Sequence, residues 1–196
     1  MMNLILASAS PRRQELLRGL GLSFTVQTAD IDETMDPTRG AADEVARVSR
    51  KKAEAVLAGA PEDAVVIAAD TIVCIDERIL GKPTSEADAA DMLRTLSGRK
   101  NQVRTGVTVC SHKTSVTQVV TTDVCFRPLS EEEIHAYIAT GEPMDKAGSY
   151  GIQGLASIFV EELHGDYFNV MGLPLCALAQ MLQQFGIAIL DRNPMR

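Results

Sequence analysis

The sequence predicts an α/β protein in which buried strands alternate with helices. The most apolar run of the chain, 64–75, is rich in β-branched residues and is typical of a central strand. A shorter apolar run, 4–7, is followed at Pro11 by a helix, because proline fits the first helical position. A clear helical period of apolar residues over 41–58 separates these two strands.

Capping residues and turns place the other elements. Ser85 with Asp88, and Ser130 with Glu133, resemble capping boxes that open two helices. We expect strands over 23–28, 102–110, 116–126 and 158–160, helices from about 86 to 96 and 131 to 139, a hairpin around 76–78, a long loop over 142–154 and a final helix from 175. The polar tail 191–196 is expected to fray.

Composition limits the classes of function. The chain has 196 residues, which fits one domain or a two-lobed single unit (residues 1–196), and its hydrophobic content of 45% indicates a globular protein. The net charge is −7 and no dense block of Lys or Arg occurs, so we expect no nucleic-acid partner. Four widely spaced cysteines without a C-x-x-C pair, and no run long enough for a membrane helix or signal, predict a cytoplasmic protein without a membrane partner.

The turn between the first strand and the first helix carries a candidate phosphate site. Ser8 and Ser10 precede the helix, and Arg12 and Arg13 stand in its first turn. A helix N-terminus is already positive and favours acids, so two arginines there indicate an anionic ligand. Hydroxyls, free amides and guanidiniums pointing one way would bind phosphate. The alternative is an arginine pair on a solvated face.

Other charged residues extend this candidate site. Asp70 interrupts the apolar run 64–75, and a carboxylate among such neighbours is costly unless it is paired or coordinated. Lys82 stands between a glycine and a proline on a defined turn, which makes it a second candidate phosphate contact. The acidic stretch 30–33 is either solvent-facing or a cation site.

The motifs that contain these residues together resemble the Maf family of nucleoside triphosphate pyrophosphatases. They are, in chain order, Ser8-Ala9-Ser10-Pro11-Arg12-Arg13, Asp32-Glu33, Lys52-Ala53, Ala69-Asp70-Thr71, Gly81-Lys82-Pro83, Leu96-Ser97-Gly98, the stretch 146–154 and Gly172-Leu173-Pro174-Leu175. Each motif is weak by itself, whereas the ordered set is specific. The resemblance implies an elongated, two-lobed α/β fold around a mixed twisted sheet with flanking helices, and an active site in the cleft between the lobes.

The resemblance also implies a reaction, the hydrolysis of a nucleoside triphosphate to its monophosphate and pyrophosphate with Mg²⁺ or Mn²⁺. Family members that act on dTTP and UTP carry Arg, Thr and Gln at the positions of Arg12, Thr71 and Gln153. Members that act on 7-methyl-GTP have a Glu near the last position. Because a glutamine amide both donates and accepts, it can pair with the imide edge of uracil or thymine. The sequence therefore indicates the dTTP/UTP subtype.

The same resemblance assigns roles to residues. Asp70 would orient and deprotonate the attacking water, and Glu33 would help hold the cation, with Asp70 as the other candidate metal ligand. Phosphates would be bound by Ser8, Arg13, Lys52 and Lys82, and the nucleotide would be read by Arg12, Thr71 and Gln153.

Two other functions stay open on the sequence alone. The first is the same reaction on a modified nucleotide such as 7-methyl-GTP. The second is a nucleotide-binding regulator of septum formation and cell division, with which the family has been associated. Asp70 together with Lys52 and Lys82 favours catalysis, because a pure binder needs no buried base. A homodimer is compatible with the sequence, which does not decide the oligomeric state.

Overall fold

The structure is a computed structural model that describes residues 3–36 and 38–190. The tail 191–196, predicted to fray, lies outside the described residues. The strands are β1 (Asn3–Leu6), β2 (Thr25–Val26), β3 (Ala64–Ile75), β4 (Arg78–Leu80), β5 (Lys100–Cys110), β6 (Ser115–Phe126) and β7 (Val160–His164). The helices are α1 (Pro11–Gly19), α2 (Ala41–Leu57), α3 (Glu86–Leu96), α4 (Glu131–Ala139), α5 (Tyr167–Met171) and α6 (Leu175–Gln184).

All seven strands form one mixed sheet in the order β2-β1-β3-β5-β6-β7, with β4 paired to β3. β1 runs parallel to residues 64–67 of β3, and β4 runs antiparallel to residues 73–75 on the same edge, because β5 occupies the other edge. Residues 68–72 of β3 thus have no strand beside them on this edge in the described structure. The prediction of an α/β protein with a mixed sheet is confirmed.

The helices cover the sheet on both faces. Leu17 of α1 and Leu182 of α6 pack with Ile67, whereas Ala53 of α2 packs with Val66 on the opposite face. A separate apolar core joins α3 and α4 to β4 and to the neighbouring parts of β3, β5 and β6. The part of β3 that has no neighbouring strand on this edge therefore lies between two packed regions.

Some predicted elements differ in extent. The strand expected over 23–28 shortens to the two exposed residues of β2, since only β1 pairs with it. The strand expected at 158–160 begins only at Val160, after a 3-10 turn over Leu155–Phe159. The predicted loop 142–154 contains two further 3-10 turns, Glu142–Asp145 and Ala147–Ser149. Ser10 starts α1 without a side-chain cap; its N–H instead donates to Ser8 Oγ over 3.3 Å.

Both predicted capping residues act as expected. Ser85 Oγ accepts from the backbone N–H of Asp88 over 3.1 Å, and Ser130 Oγ accepts from that of Glu133 over 3.2 Å.

None of the described helices combines the length and the apolar character that a crossing of the bilayer requires.

Candidate active site

A cavity of about 910 Å³ opens at the uncovered edge of β3. Each site residue that the sequence predicts lines this cavity: Ser8, Arg12, Arg13, Glu33, Lys52, Asp70, Thr71, Lys82 and Gln153. They come from α1, α2, β3 and the loops that follow β1, β2, β4 and the 3-10 turn Ala147–Ser149. The open edge of the sheet therefore brings together residues that are far apart in sequence.

Asp70 faces α2 and forms the centre of a charged cluster. Lys52 Nζ donates to Asp70 Oδ1 and to Glu33 Oε2, each over 2.8 Å. The two carboxylate oxygens therefore lie within twice that distance of each other. Asp70 is only 8% exposed, so its charge depends on Lys52 for compensation, whereas Glu33 is exposed.

A close approach of α2 to the sheet brings Lys52 to this position. Gly106 of β5 pairs directly with Asp70, and a Cβ on Gly106 would lie 2.5 Å from the carbonyl oxygen of Val45 in α2. Only glycine leaves room for the helix backbone at this point. The glycine therefore allows α2 to pack tightly beside the strand that carries Asp70.

Thr71 lies on the opposite face of β3, where Arg13 reaches it from α1. The guanidinium of Arg13 donates from Nε to Gly172 O over 2.8 Å, from Nη1 to Ser8 Oγ over 3.1 Å and from Nη2 to Thr71 Oγ1 over 3.0 Å. Burial lowers the pKa of Arg13 from its ordinary value, and Asp70 opposes that shift, but an arginine stays charged at neutral pH. A guanidinium has five N–H groups, so one N–H remains on each terminal nitrogen.

Three other predicted residues line the cavity without a hydrogen bond to another described residue: Arg12, Lys82 and Gln153. Lys82 and Gln153 are exposed, and Arg12 is half-buried. Arg12 Nη1 lies 3.8 Å from the position that a Cβ on Gly151 would occupy. The side chain of Arg12, which comes from α1, therefore lies beside the loop that carries Gln153. These side chains are available to a ligand in the cavity.

The loop that carries Gln153 is held by residues that the sequence reasoning missed. Glu142 accepts from the backbone N–H of Leu155 and from the hydroxyl of Tyr137, each over 3.0 Å. Lys146 Nζ donates to Glu142 O over 2.7 Å and also binds the Asp145 carboxylate. Lys146 belongs to one of the family motifs, which was the available signal, whereas Glu142 stands outside all of them.

Thr105, Asn169 and Gly172 were also missed as site residues. Gly172 accepts from Arg13 at the C-terminal end of α5, and Thr105 Oγ1 lies 2.9 Å from Thr71 Oγ1 across the β3–β5 ladder. Gly172 stands in a family motif but had no role assigned. Thr105 resembles any threonine of a strand, and only the strand register shows that it meets Thr71.

The arrangement combines cationic groups with converging carboxylates. Arginine and lysine side chains at the cavity wall suit phosphate oxygens, and the paired oxygens of Asp70 and Glu33 suit a hard divalent cation. A carboxylate held by one oxygen can also accept a proton from water. An α/β fold with such a cleft defines a class of protein whose site suits a polyphosphate together with a divalent cation.

Comparison with known proteins identifies the family. The model of the family described as Maf-like protein matches residues 3–185, so the chain belongs to the Maf family. The resemblance found in the motifs is confirmed.

Individual relatives are similar over nearly the whole chain. A dTTP/UTP pyrophosphatase from Vibrio parahaemolyticus is 50% identical over 184 residues, which cover 94% of this chain and 97% of the relative. A dTTP/UTP pyrophosphatase from Bacillus cereus is 48% identical over 189 residues, which cover 96% of this chain and 98% of the relative. A solved nucleoside-triphosphatase / dITP/XTP pyrophosphatase from Mycobacterium abscessus is 15% identical, with a TM-score of 0.42, over 71% of this chain and 95% of its own chain.

Proposed function

We propose that this protein hydrolyses dTTP and UTP between the α- and β-phosphates, which gives the nucleoside monophosphate and pyrophosphate. The observation that carries the proposal is the buried Asp70 carboxylate, held by Lys52 next to Glu33 in a cavity that Arg13 also lines. Two dTTP/UTP pyrophosphatases align with nearly the whole chain and are identical to it at about half of the aligned positions, which supports the same chemistry.

The residues present fit a divalent cation. Glu33 Oε2 and Asp70 Oδ1 both accept from Lys52 Nζ, and the other oxygen of each carboxylate makes no hydrogen bond to another described residue. Oxygen ligands in this number suit Mg²⁺ or Mn²⁺, which take their other ligands from water and substrate phosphates. When bound, the cation supplies charge neutralisation of the phosphates.

The chain's own residues account for the proton and the phosphates. Asp70 Oδ1 accepts from Lys52, and Asp70 Oδ2 makes no hydrogen bond to another described residue, so Oδ2 is the oxygen that would take the proton of a water. The water oxygen forms a bond to the α-phosphorus as the bond to the bridging oxygen breaks, and pyrophosphate leaves. Arg13, Lys52, Lys82 and Ser8 would hold the phosphate oxygens in position for this displacement.

Selection of the base is proposed for the loop at the other side of the cavity. The exposed amide of Gln153 can both donate to and accept from the imide edge of uracil or thymine. The side chain of Arg12 lies beside the same loop, and Thr71 lines the cavity next to Arg13; we assign both to contacts with the nucleotide.

We also propose that the chain acts as one domain in the cytoplasm. Its four cysteines are free thiols, and burial raises the pKa of Cys74 and of Cys110 to about 11. Free thiols of this kind are typical of a reducing compartment.

The proposal is tested by pyrophosphate release from a panel that contains dTTP, UTP, the other common nucleoside triphosphates and 7-methyl-GTP, with Mg²⁺, with Mn²⁺ and with a chelator. We expect metal-dependent release that is fastest with dTTP and UTP. Preference for 7-methyl-GTP would overturn the assignment of Gln153, and no release from any nucleotide despite measurable binding would overturn the reaction.

A further inference from the structure

A chain of hydrogen bonds leads from Arg13 into the interior of the sheet. Arg13 Nη2 lies 3.0 Å from Thr71 Oγ1, which lies 2.9 Å from Thr105 Oγ1, and Thr105 Oγ1 lies 3.0 Å from the carbonyl oxygen of Asn169. Thr105 and Asn169 are fully buried. The chain therefore joins a residue at the cavity to groups that no ligand touches.

The direction of every hydrogen bond in this chain is fixed by counting protons. A carbonyl oxygen only accepts, so the single hydroxyl proton of Thr105 goes to Asn169 O. Thr71 must then donate its own hydroxyl proton to Thr105 Oγ1. The lone pairs of Thr71 Oγ1 are left to accept from Arg13, which can only donate.

Helix α5 holds Arg13 by two routes. Gly172, directly after α5, accepts from Arg13 Nε, and Asn169 within α5 ends the chain through Thr105 and Thr71. The side-chain amide of Asn169 donates to the carbonyl oxygen of Val103 on β5 and to a threonine hydroxyl on β6, each over 3.0 Å. These hydrogen bonds connect α5 to the sheet. Hydrogen bonds aligned in one direction polarise one another, so loss of one link weakens the next.

We propose that Thr105 is a positioning residue for Arg13. Its hydroxyl oxygen accepts the hydrogen bond from Thr71 and thereby orients a lone pair of Thr71 Oγ1 toward Arg13, which keeps the two remaining N–H groups of Arg13 available for substrate phosphate. The inference rests on the proposed function, in which Arg13 binds the triphosphate. Thr105 itself makes no contact with substrate.

The test compares three variants with the parent protein. Thr105→Val removes the hydroxyl at nearly constant volume, and Thr105→Ser keeps it. Thr108→Val is the matched control, because Thr108 lies on the same strand, is equally buried and has its hydroxyl bonded to Ser49 and Thr117, away from the cavity.

Two measurements are made on each variant: steady-state kinetics of pyrophosphate release from dTTP, and calorimetric binding of inorganic tripolyphosphate with Mg²⁺. Arg13 would contact phosphate in both the bound and the transition state, so its misplacement raises KM more than it lowers kcat. We expect Thr105→Val to raise KM for dTTP about tenfold and to weaken tripolyphosphate binding by a similar factor. Thr105→Ser and Thr108→Val should retain parent values.

The outcomes separate this inference from the proposed function. Parental KM and tripolyphosphate binding in Thr105→Val, equal losses in Thr108→Val, or no binding of tripolyphosphate by the parent would each overturn the positioning role. If the parent releases no pyrophosphate from any nucleotide but loses tripolyphosphate binding only in Thr105→Val, the proposed reaction is wrong and the positioning role stands. Should circular dichroism show that Thr105→Val does not fold, Thr105→Cys takes its place with the same expectations, because a thiol is a weak donor.

Discussion

The ammonium group of Lys52, on α2, lies 2.8 Å from Asp70 Oδ1. Asp70 belongs to β3, a strand whose other residues are nearly all apolar. The contact compensates the buried carboxylate through one of its oxygens and leaves the other oxygen without a described partner. Glu33 shares the same ammonium group from the loop that precedes α2. One lysine thus organises both acidic residues of the proposed reaction.

Replacement of Asp70 by Asn should abolish turnover and leave nucleotide binding intact. The amide keeps the shape of the carboxylate but cannot take a proton from water, and loss of a general base typically costs about 10² to 10⁴ in rate. The measurement is kcat for dTTP together with the dissociation constant of dTTP from calorimetry. Asp123→Asn is the matched control, since Asp123 binds Lys100 over 2.9 Å outside the cavity. Full activity of Asp70→Asn would rule out this base.

Removal of the carboxylate of Glu33 should weaken the dependence on a divalent cation. Glu33→Gln keeps an oxygen near Lys52 but loses a negative charge, so we expect the Mg²⁺ concentration for half-maximal rate to rise about tenfold or more. The rate at saturating Mg²⁺ should change less. Asp32→Asn serves as the control, because the neighbouring Asp32 caps the N–H of Thr34 and does not line the cavity. An unchanged Mg²⁺ titration for Glu33→Gln would exclude it as a ligand.

The fold was largely predictable because its long elements have strong periodic signals. The run 64–75 forms β3 with the predicted bounds. Its apolar residues predict a buried element, and its many β-branched residues favour a strand over a helix. The strand predicted over 23–28 is present but only two residues long, because the extent of pairing at the sheet edge depends on β1 and not on local sequence.

The site was predictable where a residue conflicts with its surroundings. Asp70 in an apolar strand and two arginines in a first helical turn both need an external partner, and both line the cavity. Residues that support the site have no such conflict. Thr105 and Glu142 look like ordinary strand and loop residues, and their roles come from strand register and from a contact between loops.

Replacement of Gln153 by Glu should lower the preference for dTTP and UTP. A carboxylate cannot donate to the imide edge of the base and repels its carbonyl oxygens, whereas a cationic methylated guanine favours it. We expect kcat/KM for dTTP and UTP to fall about tenfold or more, with a relative gain for 7-methyl-GTP. Competitive inhibition by tripolyphosphate should not change, because that ligand has no base. Equal losses for every nucleotide would show that Gln153 does not select the base.

The loop that carries Gln153 depends on glycine at position 154. A Cβ on Gly154 would overlap Glu142 Oε1, the carboxylate that accepts from Tyr137 and from the N–H of Leu155. Gly154→Ala must therefore displace Glu142 or move the loop, and either change shifts Gln153. We expect a higher KM for dTTP and a reduced preference for pyrimidine nucleotides, measured on the same nucleotide panel.

The control for this loop variant is Gly19→Ala. Gly19 stands at the end of α1 outside the cavity, and a methyl group added there would have no described atom of another element within 4 Å. Alanine is also the better helix former, so this change should not destabilise the protein. The Mg²⁺ dependence of Gly154→Ala should equal that of the parent, since Glu33 and Asp70 lie on other elements. A changed Mg²⁺ titration, or parental base preference in Gly154→Ala, would contradict the assignment of Glu142 and Gly154 as the residues that hold the base-reading loop.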